Sequence, residues 1–103
     1  MQTLPYLQIG GHWYRLELKD AWQVTDAGGQ GDSHCQKTHI RVATLTIDNE
    51  PRTVSDVEEV LIHEILHQID VVWKCDIDED NIERLSQGLL QVLKQFGVSL
   101  VWS

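Results

Sequence analysis

The chain has 103 residues, enough for one domain with a small core. Apolar residues make up 42% and charged residues 23%, the balance of a folded globular protein, which excludes a disordered or fibrous chain. Only 8 Lys and Arg stand against 16 Asp and Glu, a net charge of −8, so the basic stripe that a phosphate backbone requires is missing and nucleic acid is not an expected partner.

Met1 to Gly10 holds no basic segment followed by a long apolar run, and no apolar stretch approaches the roughly 20 residues that span a bilayer. Neither a secretory signal nor a membrane partner is therefore expected. Cys35 and Cys75 form no Cys-x-x-Cys pair and are expected as free thiols in a reducing, cytoplasmic compartment.

Leu7 and Ile9, then Gly10-Gly11, then the alternating run Trp13 to Leu18 predict a β-hairpin, because paired glycines supply the positive φ angles of a tight turn. Thr25 to Ser33 (TDAGGQGDS) predicts a loop. Thr38 to Thr46 (THIRVATLT) is β-branched and predicts a strand, with Ile40, Val42 and Thr44 on one face. Pro51 ends the extended region. Ser55 with Glu58 fits a capping box, and Thr53 with Asp56 is a rival. Val57, Leu61, Ile65, Ile69 and Val72 then recur at spacings of four and three, widened by Ile62, Leu66 and Trp73, which predicts a buried helix to about Trp73. Asp76 to Asp80 opens a second helix with Asp78 as its cap. Ile82, Leu85, Leu89, Val92, Leu93 and Phe96 form its apolar stripe, and Gly97 stops it. Val98 to Ser103 is a last strand or a docked segment. Strands first and helices after predict a single α+β domain over residues 1–103.

His63 and His67 are four apart on the first predicted helix, so their imidazoles stack one turn apart and can share one metal ion. They lie opposite the centre of the apolar stripe and face a cleft rather than the main core. Glu64, beside His63, is placed to reach a water on that metal. His-Glu-x-x-His on a helix is the zinc-metallopeptidase arrangement, with the two His as ligands and the Glu as general base. A catalytic zinc takes three protein ligands and leaves a fourth position open. An extended three-histidine motif would put its last His at position 73, which is Trp, and no His follows His67. The third ligand is therefore expected to be a carboxylate of the second helix. Glu83, at the edge of the apolar stripe, is the first choice, and Glu79, one turn earlier, is the alternative.

The segments "LQIGGHWYRLEL", "LIHEILHQID" and "DEDNIERLSQGLLQVL" give the chain a resemblance to the small metallopeptidases of bacteriophages and prophages, related to the ImmA/IrrE-type and minigluzincin-like zincins. The resemblance implies a minimal zincin fold: a small antiparallel or mixed sheet, an active-site helix, and a second helix carrying the last ligand. It implies Zn2+ held by His63, His67 and Glu83, with Glu64 as base. It also implies a peptide or protein substrate extended along an edge strand, for which the strand containing Ile40 and Val42 is the candidate. A zinc-stabilised binding or regulatory module of the same fold is the alternative function. No downstream Tyr or His matches the transition-state stabiliser of larger zincins.

His34, Cys35 and His39 are more simply read as solvated loop and strand-start side chains than as ligands, and His12 as exposed. Trp13, Trp22, Trp73 and Trp102 are expected in core and edge packing. The acids from Asp76 to Asp80 lack the pattern of a calcium loop.

Overall fold

A computed structural model describes residues 1–19, 31–34, 39–46 and 48–102 of the chain. Strand β1 (Tyr6–Ile9) turns through Gly10, at φ +59°, into the antiparallel strand β2 (His12–Lys19). A side chain at Gly10 would be strained by that φ, and its Cβ would lie 2.5 Å from a Val72 methyl, so the hairpin turn is fitted closely against the first helix. Strands β3 (Gly31–His34) and β4 (His39–Ala43) complete a four-stranded sheet in the order β1-β2-β4-β3. The β2–β4 pair is parallel and the other two pairs are antiparallel. Helices α1 (Val54–Trp73) and α2 (Glu79–Gln95) follow, giving a small α+β fold with a mixed sheet. Among the described residues no helix is long and apolar enough to cross a membrane.

Alternation along the strands decides which side faces α1. Ile9 and Tyr14 from the hairpin and Ile40 and Val42 from β4 are buried against Val57 and Leu61 of α1, and Val101 of the C-terminal segment closes the same cluster. That segment docks beside the N-terminus: the N–H of Trp102 donates to the Gln2 carbonyl at 2.8 Å.

Several expectations are corrected here. β4 is an inner strand, between β2 and β3, so the strand of Ile40 and Val42 is not the sheet edge; β3 is. Gly31 to Ser33, expected as loop, belongs to β3 and pairs with β4 from Gly31↔Val42 to Ser33↔Ile40. A Gly-Asp-Ser segment has little strand propensity of its own, and β4 supplies the backbone partners that hold it extended. The rest of that loop up to Gln30, with Trp22 and Cys35, lies outside the described residues. Thr53, not Ser55, caps α1, its hydroxyl accepting from the Asp56 N–H at 3.1 Å. Glu58 is drawn away from any capping box because it is wholly buried: it accepts from the Leu100 N–H at 2.6 Å and pairs with Lys94 Nζ at 2.5 Å.

The stripe predicted for α2 is mostly not core. Ile82 and Ser86 are buried, whereas Leu85, Leu89, Val92 and Phe96 are exposed, Phe96 by 79%. Among the described elements α2 packs against α1 alone, so one narrow side of it is covered and the rest of the stripe has no layer to bury against. Trp13, Trp73 and Trp102 are likewise exposed.

Among the described residues the Glu58 carboxylate is the one anion wholly inside the fold, and it ties α1, α2 and the tail together. Lys94→Ala should leave that carboxylate short of its partner and lower stability by about 1–3 kcal/mol, less than for a fully buried pair because the ammonium is partly solvated. Chemical denaturation at neutral pH checks this, and an unchanged midpoint would show the pair to be energetically silent.

Candidate metal centre

The polar side of α1 and the start of α2 form the walls of a cleft of about 580 Å3, with Gly31 of β3 on the opposite rim. Asp56, Val60, His63 and His67 follow one another along α1 at spacings of four, three and four, so they line the floor as a single helical row. Glu59 and Glu64 flank that row, and Glu79 and Glu83 of α2 face it.

The rotation of α1 that aims this row at the cleft is set from the core side. The phenol of Tyr14, fully buried in β2, donates to Gln68 Oε1 at 3.0 Å. Gln68 adjoins His67 in sequence, so when its amide is pinned to the sheet, the imidazole beside it is turned outward, about 100° around the helix.

His63 and His67 are partly buried, with 20% and 32% of their side chains exposed. Their Nε2 atoms lie 3.1 Å apart. Glu79 completes the group: one carboxylate oxygen is 2.7 Å from His63 Nε2 and the other 2.8 Å from His67 Nε2. The ligand atoms of these three residues lie within 4.8 Å of one another, and Glu83 is outside that group, lining the cleft one turn further along α2. The geometry therefore favours Glu79, the alternative of the sequence reading, over Glu83.

The cause is the turn between the helices. Lys74, at φ 53°, ends α1 in the left-handed region, and Asp76 is also left-handed at φ 57°. The chain then runs back along α1 at once: the Asp70 carboxylate accepts from the Ile77 N–H at 3.0 Å. Ile77 is thus already level with Asp70, one turn inside the end of α1. Asp78 caps α2 from an extended backbone, accepting from the Asn81 N–H at 2.8 Å, and Glu79 begins the helix abreast of His67. Counting residues from the end of α1 cannot foresee this, because the doubling back happens inside the turn.

Two imidazole nitrogens and a carboxylate are a catalytic-type zinc set, and tetrahedral Zn–N and Zn–O bonds would hold such donors about 3.3 Å apart. The observed 2.7–3.1 Å is a few tenths shorter, which small side-chain rotations restore. Without a cation the cluster is poorly matched: if both Nε2 atoms carry a proton toward Glu79, two N–H groups face each other across 3.1 Å. Three converging lone-pair donors suit a cation better.

Glu64 sits on the cleft wall under β3. A Cβ built on Gly31 would lie 3.3 Å from Glu64 Cγ, 3.0 Å from the Arg41 carbonyl oxygen and 2.7 Å from a Val60 methyl. The strand passes the helix so closely that only glycine fits without displacement. In the sequence Gly31 is one of several glycines in a run expected as loop, so nothing local marks this approach. The cleft acids Asp56 and Glu59 and the buried Arg52, which donates to the Ala43 carbonyl at 3.1 Å, were also missed by the sequence reading. The side chains of His34 and Cys35 lie outside the described residues, and His39 is half-buried in β4.

No family model, curated protein or solved structure has a significant match to this chain.

Gly31→Ala should lower stability by about 1–3 kcal/mol, since the new methyl meets Val60 on one side and backbone on the other. Thermal unfolding reads this, and pairing it with Val60→Ala, which removes the obstructing methyl, should recover part of the loss.

Proposed function

We propose that the chain is a zinc-dependent metallopeptidase that hydrolyses peptide bonds of a peptide or protein substrate, with His63, His67 and Glu79 as ligands and Glu64 as general base. The observation that carries this reading is the convergence of the two Nε2 atoms and both Glu79 oxygens, 2.7–3.1 Å apart, on the wall of an open cleft. The His-Glu-x-x-His spacing and the resemblance to minigluzincin-like zincins of phages and prophages support the same reading.

Zinc held there would acidify a water and polarise the scissile carbonyl. Glu64, on the cleft wall beside His63, would serve as the base that accepts a proton from the attacking water and passes it to the leaving amine. Its carboxylate projects from the same helix as the two His, so its position relative to them is fixed by helical geometry rather than by a loop. Substrate lies extended along β3, the sheet edge at the cleft rim, where strand pairing supplies affinity without demanding a particular sequence. Glu83 faces the same cleft as a carboxylate available to substrate.

One observation favours the alternative, a zinc-stabilised binding module with little turnover. Among the described residues Arg52 is the cation that lines the cleft, and it stands before α1 with its guanidinium donating to the Ala43 carbonyl, so it is held to the sheet rather than aimed at an oxyanion beside the His63–His67–Glu79 cluster.

The purified protein should hold about one zinc per chain by elemental analysis. Glu79→Ala should weaken zinc binding at least about 100-fold in a chelator competition, while Glu83→Ala should change it only a few-fold; the opposite order would return Glu83 to the metal. Glu64→Gln should keep zinc and slow cleavage of a mixed peptide library by at least about 100-fold. Zinc bound by a parent protein that cleaves nothing in such a library would support the binding-module reading instead.

A further inference from the structure

The side of α2 turned away from the cleft has its own pattern. Leu85, Leu89, Val92 and Phe96 follow at spacings of four, three and four, the interval of a helix-pairing seam, and all four are exposed by 41–79%. Beside them runs an apolar groove of about 650 Å3 between the two helices, floored by Leu66 of α1 and reaching from Ile77 to Val92. Seam positions left this open in a chain of this size have not been spent on its own core.

We infer that this face pairs α2 with α2 of a second copy of the chain, antiparallel, about a two-fold axis near Gly88 and Leu89. Three observations single out a second copy. First, the face is complementary to itself: it carries a projection, Phe96, at one end and a hollow bounded by Ile77 and Asn81 at the other. Turning one helix end for end about Gly88 and Leu89 lays each Phe96 on the hollow of the other copy and each Val92 against Leu85, the isologous match that a two-fold contact requires. At the axis, Gly88 has nothing within 4 Å of the place a Cβ would occupy, so two backbones can cross closely.

Second, the charge is distributed to permit it. Two copies of a chain with net charge −8 repel, yet Glu83 is the only acid after Asp80, and it points into the cleft. The polar groups lining the groove are Asn81 and Arg84, and no carboxylate lines it, the charge depletion expected at the centre of an interface. Third, the area is adequate. Four large apolar side chains with their polar flanks amount to roughly 600 Å2 per copy, the lower end of what a specific dimer buries. The clefts lie on the other side of α2 and stay open, so the pairing is independent of whether the metal centre is catalytic.

Sedimentation velocity of the full chain between about 1 and about 200 µM tests this. The parent should move from monomer to dimer across that range. Leu89→Glu and Val92→Glu should each raise the dissociation constant at least about 100-fold and remain monomeric, with the helical circular dichroism of the parent. Trp13→Glu, on an exposed strand position remote from the seam, should dimerise as the parent does. A parent that stays monomeric throughout overturns the proposal and assigns the face to some other partner. A dimer that survives Leu89→Glu, or that Trp13→Glu disrupts equally, overturns it as well.

Discussion

The hydrogen bond from the Tyr14 hydroxyl to Gln68 joins the centre of the sheet to the middle of α1, and both side chains are buried. A helix packed only by aliphatic side chains can roll by a few tens of degrees at small cost, because methyl groups interdigitate in more than one way. A directional bond between buried polar groups resists that freedom, since a roll that broke it would forfeit a hydrogen bond inside the packed interior. Everything functional on α1 depends on this phase. The row from Asp56 to His67 reaches the cleft because Gln68 does not, and Gly31 clears Val60 and Glu64 only at this rotation.

The same constraint concentrates negative charge. With the apolar stripe directed at the sheet, the acids of α1 are left facing those of α2, and Asp56, Glu59, Glu64, Glu79 and Glu83 line one cleft with Arg52 as its cation. Carboxylates gathered this closely repel one another. A divalent cation between His63, His67 and Glu79 would relieve part of that repulsion. An acidic chain with a cleft of this composition has an electrostatic reason to take up a metal ion, apart from the coordination geometry.

Much of this was legible in the residues. The Gly10-Gly11 hairpin, the stripe from Val57 to Val72, the Asp78 cap and the outward direction of His63 and His67 follow from local chemistry and helical periodicity, which act over a few residues and are written in a few residues. What could not be read depended on long-range placement. β3 is a polar segment that is extended because β4 lies beside it. The stripe on α2 reads as core to any periodicity argument, since the pattern shows an apolar side and not what covers it. Glu79 was ranked below Glu83 because Glu83 stands at the edge of the apolar stripe of α2, a criterion blind to the left-handed Lys74 and Asp76 that fold the chain straight back along α1. Nothing about Lys74 marks it for that conformation, which glycine normally takes.

Glu79 rides on a helix that packs, among the described elements, against α1, which raises the question of what keeps it in place. α2 is fastened at both ends and in the middle. At its start, Asp70 holds the Ile77 N–H and Asp78 holds the Asn81 N–H, so the turn before Glu79 is tied to α1 and to its own first turn. In the middle, Ile82 and Ser86 are wholly buried. At its end, Lys94 pairs with Glu58, the buried carboxylate that also holds Leu100. A helix clamped at separated points can neither slide nor swing, which is what a ligand on its first residue needs: a shift of about 1.5 Å, the rise of one residue, would carry the Glu79 carboxylate out of reach of one imidazole. Glu58 therefore serves the candidate site from the far end of α2, and its burial, costly by itself, makes sense as the anchor that gives a narrowly packed helix a fixed register.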